Sequence, residues 1–252
     1  MQTILDVSHV TKTFRTPGRQ RLRAVDDVSL TVEAGECVGI VGESGSGKST
    51  LARIITRLIR PDSGSVTLCG TELTRAKGPV LRAAYRDMKM IFQEPRSSFD
   101  PRLTLGESLD EALRIVIPDQ RRRGAEAKEL FEKVGLDPQL LKLYPTQVSG
   151  GECQRAAIVR AIAQKPRLLI CDEATSSLDV SVQAQIIGLL NEIRRESGLS
   201  LLFVSHDLAL VCSFCGRTYV LHGGRIVEQG ATERIIHAPR QPYTKHLINA
   251  TL

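Results

Sequence analysis

The chain has 252 residues, of which 42% are hydrophobic and 25% charged, enough for one large domain with a substantial core. Its net charge of +6 suits a nucleotide, another anionic partner or an acidic membrane face, and equally an ordinary basic surface. No run approaches the roughly 18 apolar residues of a membrane span, and residues 1–6 lack the pattern of a signal peptide. We therefore expect a cytosolic chain.

The chain begins with two predicted strands. Residues 4–10 and 28–32 alternate apolar and polar side chains, as half-buried strands do, and a polar, basic segment (residues 15–23) lies between them. This pattern predicts an antiparallel sheet. Short apolar runs, typical of buried parallel strands, follow at residues 36–41, 88–92, 168–171 and 199–204.

Helices are predicted among these runs, at residues 49–59, 105–116, 124–134, 152–164 and 208–215. Residues 93–165 then form a helical insert in an α/β core (residues 1–92 and 166–252), within a single domain that spans residues 1–252. Three consecutive arginines, 121–123, are interpreted as a solvated loop or helix start rather than as a binding patch.

The six cysteines have scattered spacings that do not predict a disulfide framework. Cys212 and Cys215 form a C-x-x-C pair in a predicted helix, but no second pair completes a metal site. We interpret them as packing residues rather than as redox or metal-binding groups.

A glycine-rich turn follows the first short apolar run and fits G-x-x-x-x-G-K-[ST], the phosphate-binding P-loop. Its backbone N–H groups can wrap phosphates, Lys48 can reach the β- and γ-phosphate oxygens, and the Ser49 hydroxyl can bind Mg²⁺. The strand before it and the helix after it are the context that the motif requires. The predicted nucleotide contacts are Gly42, Glu43, Ser44, Gly45, Ser46, Gly47, Lys48, Ser49 and Thr50.

Two consecutive carboxylates, Asp172 and Glu173, end the apolar run at residues 168–171. Side chains alternate along a strand, so neighbouring carboxylates suit two separate tasks. Asp172 can hold Mg²⁺, directly or through water, and Glu173 can polarise a water for in-line attack on the γ-phosphorus. A solvated strand end would explain one carboxylate but not the pair beside a P-loop.

Three further features are ambiguous alone. Gln93 and His206 each follow an apolar run, and His206 could equally be an ordinary residue at a helix start. Residues 148–152 form a second glycine-rich turn, which looks like another phosphate-facing helix start but carries no lysine.

The order of these motifs resembles that of the ATP-binding subunits of ABC transporters over nearly the whole chain: the P-loop, Gln93, Ser149-Gly150-Gly151-Glu152, Asp172-Glu173, Ser177-Leu178-Asp179 and His206. The resemblance implies the ABC ATPase fold, a P-loop NTPase (RecA-like) core with an N-terminal antiparallel β subdomain and an inserted α-helical subdomain. It also implies ATP and Mg²⁺ as cofactors, and hydrolysis of Mg-ATP coupled to solute translocation.

The same resemblance implies roles for individual residues. Phe14 would stack on adenine, and Asp179 would cross the interface of a head-to-tail dimer. The second turn would close over the partner's ATP, and its implied nucleotide contacts are Ser149, Gly150, Gly151 and Glu152. The implied metal contacts are Ser49, Gln93 and Asp172. Gln93 would also reach the attacking water and face the membrane subunit, and His206 would touch the γ-phosphate. The implied catalytic residues are Lys48, Gln93, Glu173 and His206.

Residues 94–102, 178–183 and 237–244 resemble the peptide and nickel importers in particular. That family implies two integral-membrane permeases, a second and distinct ATP-binding subunit rather than a homodimer, an external solute-binding protein, no nucleic acid, and a place at the cytoplasmic face of the membrane. The chain ends soon after its Pro-Tyr-Thr segment, which slightly favours the nickel or metallophore members. Peptides, nickel and metal chelates all stay open as solutes.

The chain departs from the family pattern at three positions. Val148 and Glu152 replace the leucine and glutamine of the usual signature turn, and Ala174 stands where proline is common. Glu152 would bring a negative charge near a nucleotide unless it points aside or pairs with Arg155, one helical turn along.

Two other functions are considered. A nucleotide-binding regulatory subunit without turnover would be marked by loss of Glu173 or His206, and both are present. A soluble ABC ATPase that acts on DNA or ribosomes usually carries tandem domains or a long coiled-coil insert, and the sequence between Gly42 and Asp172 holds neither.

Overall fold

The computed structural model describes residues 2–15, 21–174 and 179–251 and contains two sheets. One is antiparallel, with strand order β2-β1-β4-β5. The other has the order β10-β9-β3-β8-β7-β6 and is parallel except for β10, which pairs antiparallel to β9. The strands are β1 (Thr3–Arg15), β2 (Arg21–Glu33), β3 (Cys37–Val41), β4 (Ser63–Leu68), β5 (Thr71–Glu72), β6 (Met88–Ile91), β7 (Leu168–Asp172), β8 (Ser200–Ser205), β9 (Arg217–His222) and β10 (Arg225–Ala231).

Helices flank the mixed sheet, and three of them lie between β6 and β7 in the chain. They are α1 (Lys48–Ile55), α2 (Gly78–Asp87), α3 (Leu105–Leu113), α4 (Gln120–Lys133), α5 (Gly150–Ile162), α6 (Val180–Ser197), α7 (Leu208–Phe214), α8 (Thr232–His237) and α9 (Pro242–Thr251). Short 3₁₀ helices occur at Arg96–Ser98 and Pro138–Lys142. Within the described ranges, no helix is both long and apolar enough to cross a membrane.

The alternation of side chains along the parallel strands divides the core in two. On β3, Cys37 and Val41 pack in the cluster that includes α3, α5 and α7, whereas Val38 and Ile40 pack with α1 and the antiparallel sheet. Because successive side chains point to opposite faces, each buried strand must be apolar throughout. Both faces of the sheet are thereby covered, and polar groups collect where the strands end.

The predicted polar segment at residues 15–23 is partly wrong. Arg15 ends β1 and residues 21–23 begin β2, so the two strands continue their pairing through Phe14 opposite Leu22 and Arg15 opposite Arg21. The backbone hydrogen bonds between the two strands stabilise this part of the sheet, although its side chains show no apolar pattern. Residues 16–20 lie outside the described residues.

The arginine triplet begins α4 as one alternative predicted, but it is not all solvated. Asp119 caps the helix by accepting a 2.8 Å hydrogen bond from Arg122 N, and Arg121 and Arg122 are exposed. Arg123 is only 6% exposed. Its guanidinium forms an ion pair with Asp110 of α3 and donates to Pro118 O at 2.7 Å, so it joins two helices.

The six cysteines are all free. Cys215 is buried with its Sγ 3.3 Å from Cys37 Sγ, and Cys212 is half-buried. The hydrogen bond with Cys37 and burial both raise the pKa of Cys215, which keeps the thiol protonated and poorly nucleophilic.

Candidate functional site

The P-loop joins the end of β3 to α1, and close backbone contacts explain its glycines. A Cβ on Gly42, at φ 155°, would lie 2.1 Å from Leu221 O. One on Gly47, at φ 108°, would lie 2.2 Å from Ala24 O. The loop is thus wedged between β9 and β2, and only glycine fits at these two positions.

The groups of the P-loop that could bind phosphate are arranged around this turn. Glu43, Ser44 and Gly45 are exposed, and Lys48, Ser49 and Thr50 open α1. Ser46 is buried, and its Oγ has no hydrogen-bond partner among the described residues. An unpartnered buried hydroxyl at the start of a helix fits a site that an anion completes.

Lys48 is only 4% exposed, and its ammonium lies inside the loop. Nζ donates to Gly42 O at 2.7 Å and to Glu43 O at 2.9 Å. Burial lowers the pKa of Lys48, and the carboxylates of Glu173 and Asp172 counter that effect. The loop therefore orients the lysine through its own carbonyls.

Asp172 ends β7 and lies 2% exposed beside the start of α1. Its Oδ1 accepts a 2.9 Å hydrogen bond from Ser49 Oγ. Burial raises the pKa of Asp172, and the Ser49 hydroxyl opposes the rise. A buried carboxylate beside a hydroxyl is an all-oxygen pair of the kind that Mg²⁺ prefers, so the residues present fit that ion.

Glu173 follows β7 in the left-handed conformation, with φ at 50°. A backbone hydrogen bond from Glu173 N to Val204 O, 2.9 Å long, holds this turn against β8. For a residue other than glycine the conformation costs about 1–3 kcal/mol and marks many functional sites. It turns the carboxylate out of the strand alternation, so Asp172 and Glu173 do have separate surroundings.

The structure brings Gln93 and His206 to the Glu173 carboxylate. Gln93 Nε2 donates to Glu173 Oε2 at 2.8 Å, and His206 Nδ1 lies 3.3 Å from Oε1. Gln93 follows β6 and His206 follows β8, the strands on either side of β7. Parallel strands end at one edge, and this is why residues so far apart in sequence meet here.

The second glycine-rich turn begins α5, two residues earlier than predicted. Ser149 is the N-cap, and Gly150 and Gly151 are the first residues of the helix. The Glu152 carboxylate accepts from Ser149 N and Ser149 Oγ, both at 2.8 Å, in a capping box. These hydrogen bonds lower the pKa of Glu152.

Of the two alternatives for Glu152, pairing with Arg155 is not the one that the structure shows. Arg155 Nη1 instead donates to Gly135 O at 3.5 Å, and its charge adds only a weaker contribution to the lowered pKa of Glu152. The capping box forms because the side chain of the N-cap serine accepts from the backbone N–H three residues later, while the glutamate there accepts from the backbone N–H of the serine.

Two more predicted site residues, Phe14 and Asp179, lie on β1 and at the start of α6. Phe14 sits in β1 opposite Leu22, two residues along β2 from Ala24, whose carbonyl touches Gly47. Asp179 caps α6 and accepts from Val182 N at 3.0 Å. Ser177 and Leu178, the rest of its motif, lie outside the described residues.

One contact at the P-loop was not predicted. Glu43 N donates to the hydroxyl of Tyr243, at 3.1 Å, from the start of α9. The Pro-Tyr-Thr segment that holds Tyr243 stood out in the sequence only as a family resemblance. No local pattern could place it beside a loop 200 residues away.

A P-loop between β3 and α1, two carboxylates at the end of β7 and an inserted helical region define the ABC cassette fold. Residues 25–176 match the family described as ABC transporter. A dimeric, post-hydrolysis structure of the ATP-binding cassette MJ0796 bound to ADP and Pi is 30% identical, with a TM-score of 0.84 over 91% of this chain and 99% of that one. The chain belongs to the ABC transporter family, and the predicted fold class is confirmed.

Two relatives extend the match. A protein of Sinorhizobium fredii named "Probable peptide ABC transporter ATP-binding protein y4tS" is 48% identical over 91% of this chain and 65% of its own length. The oligopeptide transport ATP-binding protein OppF of Escherichia coli is 46% identical over 91% of this chain and 69% of its own length. The chain thus spans about two thirds of these relatives.

Proposed function

We propose that the chain is the ATP-hydrolysing subunit of an importer for peptides. The observation that supports this most directly is the meeting of Gln93, Glu173 and His206 beside Lys48, Ser49 and Asp172. One chain thereby contains both a phosphate-binding half and a group able to activate water. The names of the relatives, peptide transport and oligopeptide transport, support the solute class.

In this proposal the P-loop amides and Lys48 bind the β- and γ-phosphates of ATP, and Phe14 stacks on the adenine. Ser49 and Asp172, together with Gln93, would hold Mg²⁺, which neutralises charge on the phosphates. Glu173 takes a proton from the attacking water, while Gln93 and His206 orient its two carboxylate oxygens and His206 reaches the γ-phosphate. Fixed donors of this kind need no reorganisation during the reaction.

The second turn serves a different nucleotide. We propose that Ser149, Gly150 and Gly151 close over ATP held by a second, related subunit, with Asp179 at the interface. The start of α5 suits a phosphate, because the first N–H groups of a helix have no acceptor within the helix. Two permeases would contact the chain after Gln93 at the cytoplasmic face of the membrane and link it to an external solute-binding protein.

The test of hydrolysis is a comparison of Glu173→Gln and Lys48→Ala in the purified subunit with its partner subunits. Glu173→Gln should lower Mg-ATPase activity by at least about 100-fold, the lower end of the range for a general base, while ATP still binds. Lys48→Ala should weaken ATP binding itself. Glu72→Gln, an exposed carboxamide change in β5, is the matched control.

Either of two results would contradict the proposal. Undiminished hydrolysis in Glu173→Gln and Lys48→Ala would remove the assigned chemistry. ATP binding without turnover in the wild-type complex would favour a regulatory subunit.

The solute is tested by uptake into vesicles that contain the chain together with its partner permeases and solute-binding protein. Labelled peptide should enter with ATP and fail to enter with the Glu173→Gln subunit. Uptake of nickel or a metal chelate, but of no peptide, would overturn the peptide assignment and leave the ATPase assignment intact.

A further inference from the structure

The start of α9 touches the P-loop through the side chain of Tyr243. The Tyr243 hydroxyl accepts the hydrogen bond from Glu43 N, at 3.1 Å, and the Tyr243 ring stacks on His222 with centroids 3.9 Å apart. His222 ends β9, next to Leu221, whose carbonyl oxygen packs against Gly42. The first two residues of the P-loop therefore contact one wall of the loop's surroundings, which β9 and α9 form together.

The wall is anchored independently of the P-loop. The Glu228 carboxylate of β10 accepts from Arg240 N at 2.9 Å and from Gln241 N at 3.0 Å, which fixes the segment just before α9. Farther along the helix, Leu247 is 5% exposed and packs in the same cluster as Val211 of α7. The tyrosine hydroxyl is thus presented from a fixed support.

Glu43 connects this support to the lysine. Its N–H is held by Tyr243, and its carbonyl accepts from Lys48 Nζ at 2.9 Å. Glu43 itself is exposed, and its carbonyl also accepts from Ser46 N at 3.2 Å. Loss of the Tyr243 hydroxyl removes one restraint on the residue whose carbonyl aims the lysine.

We propose that Tyr243 is a positioning residue for the P-loop: it fixes Glu43 so that Lys48 is held in the direction of the phosphates, without touching the nucleotide. The inference rests on the proposed nucleotide site. A competing arrangement, in which the hydroxyl occupies an N–H that ATP needs, makes the opposite prediction about affinity.

The test is Tyr243→Phe, which keeps the ring on His222 and removes only the hydroxyl. We expect the Kd of Mg-ATP and of Mg-ADP to rise about three- to tenfold, the effect of one net hydrogen bond. The kcat at saturating ATP, measured with the partner subunits, should change less than about twofold, because the groups that activate water are untouched. Tyr85→Phe in α2 is the matched control and should leave both values unchanged.

A double-mutant cycle with Lys48→Ala separates positioning from general stability. If Tyr243 acts through Lys48, the added Tyr243→Phe change should not weaken nucleotide binding further in the Lys48→Ala chain. An equal loss in both backgrounds contradicts the proposal, as does unchanged or tighter binding by Tyr243→Phe. A wild-type chain that binds no ATP would instead overturn the proposed function itself.

Discussion

The carboxylate of Glu152 binds the same serine that would serve the partner's nucleotide. Ser149 Oγ donates to it at 2.8 Å, and so does Ser149 N. In the proposed dimer the hydroxyl must turn to a γ-phosphate, and the carboxylate would stay nearby as an anion next to a polyanion. Like charges at such distances repel, most strongly at low salt.

We therefore predict that Glu152→Gln strengthens the ATP-dependent pairing with the partner subunit. The amide oxygen can still accept from Ser149, so the cap survives while the charge is lost. The Kd of the pair should fall about two- to tenfold at low salt and less at high salt. Sedimentation with ATP, in the non-hydrolysing Glu173→Gln background, measures it.

The chain contains its own control for this change. Glu107 forms the same capping box with Thr104 at the start of α3. Glu107→Gln should not alter pairing. An equal effect of the two changes would mean that net charge alone, rather than the position of Glu152, decides the affinity.

At the scale of helices and strands, local patterns predicted what local forces determine. Apolar runs located β3, β6, β7 and β8 within a residue or two, because β3, β7 and β8 are buried throughout and β6 is buried at both of its ends. The P-loop and the Asp172-Glu173 pair were likewise readable, since their chemistry depends on neighbours in sequence. Their grouping at one edge follows from parallel strand order.

Other features depend on contacts between distant segments. The left-handed Glu173 is held by Val204, and Tyr243 reaches Glu43 only because α9 packs beside β9. Arg123 was interpreted as solvated because its neighbours are charged. Its side chain is instead buried, and it pairs with Asp110 and donates to two backbone carbonyls. A periodic sequence pattern does not show which residue of another helix or strand a side chain contacts.

Arg123 is predicted to be a stability residue of the helical region. Arg123→Met keeps the buried aliphatic volume but removes the donors to Asp110, Ile117 O and Pro118 O. The free energy of unfolding should fall by about 2 kcal/mol, because buried acceptors lose their partners. Urea denaturation measures it, with Arg122→Met, one residue earlier and exposed, as the control.

The same contact predicts an acid limb in the stability profile. The Arg123 guanidinium holds the pKa of Asp110 below its ordinary value of 3.8, aided by Arg114 and opposed by partial burial. A carboxyl whose pKa is lower in the folded state stabilises the fold fully above its unfolded pKa. That stabilisation disappears as the pH falls through the lowered value.

Melting temperatures across this acid range test the assignment. The Asp110→Asn chain should melt lower than wild type at neutral pH, and the difference should shrink steadily below about pH 4, where the unfolded carboxyl begins to protonate. A difference that stays constant with pH would assign the loss to packing instead.

At the scale of the whole molecule, the nucleotide half-site and the region that would face the permeases share β6. This strand pairs with β7, which carries Asp172, and leads directly to Gln93. A groove of 360 Å³ lies along the other side of β6 and is bordered by α3 and α5. Gln93 follows β6 closely in the chain, so a displacement of Gln93 can reach this groove through one short segment.

Ile115 is the side chain through which we expect this groove to bind a permease. It lines the groove, and it is 55% exposed although it is apolar, so a partner that covers it gains from its burial. Ile115→Asp should lower the amount of subunit recovered with permease-containing membranes by about tenfold, the equivalent of about 1.4 kcal/mol. Mg-ATP binding should be unchanged.

Val80→Asp places the same charge on a 48% exposed valine of α2, outside the lining of the groove, and should leave recovery intact. Equal loss in the two variants would show that the membrane partner does not use this groove.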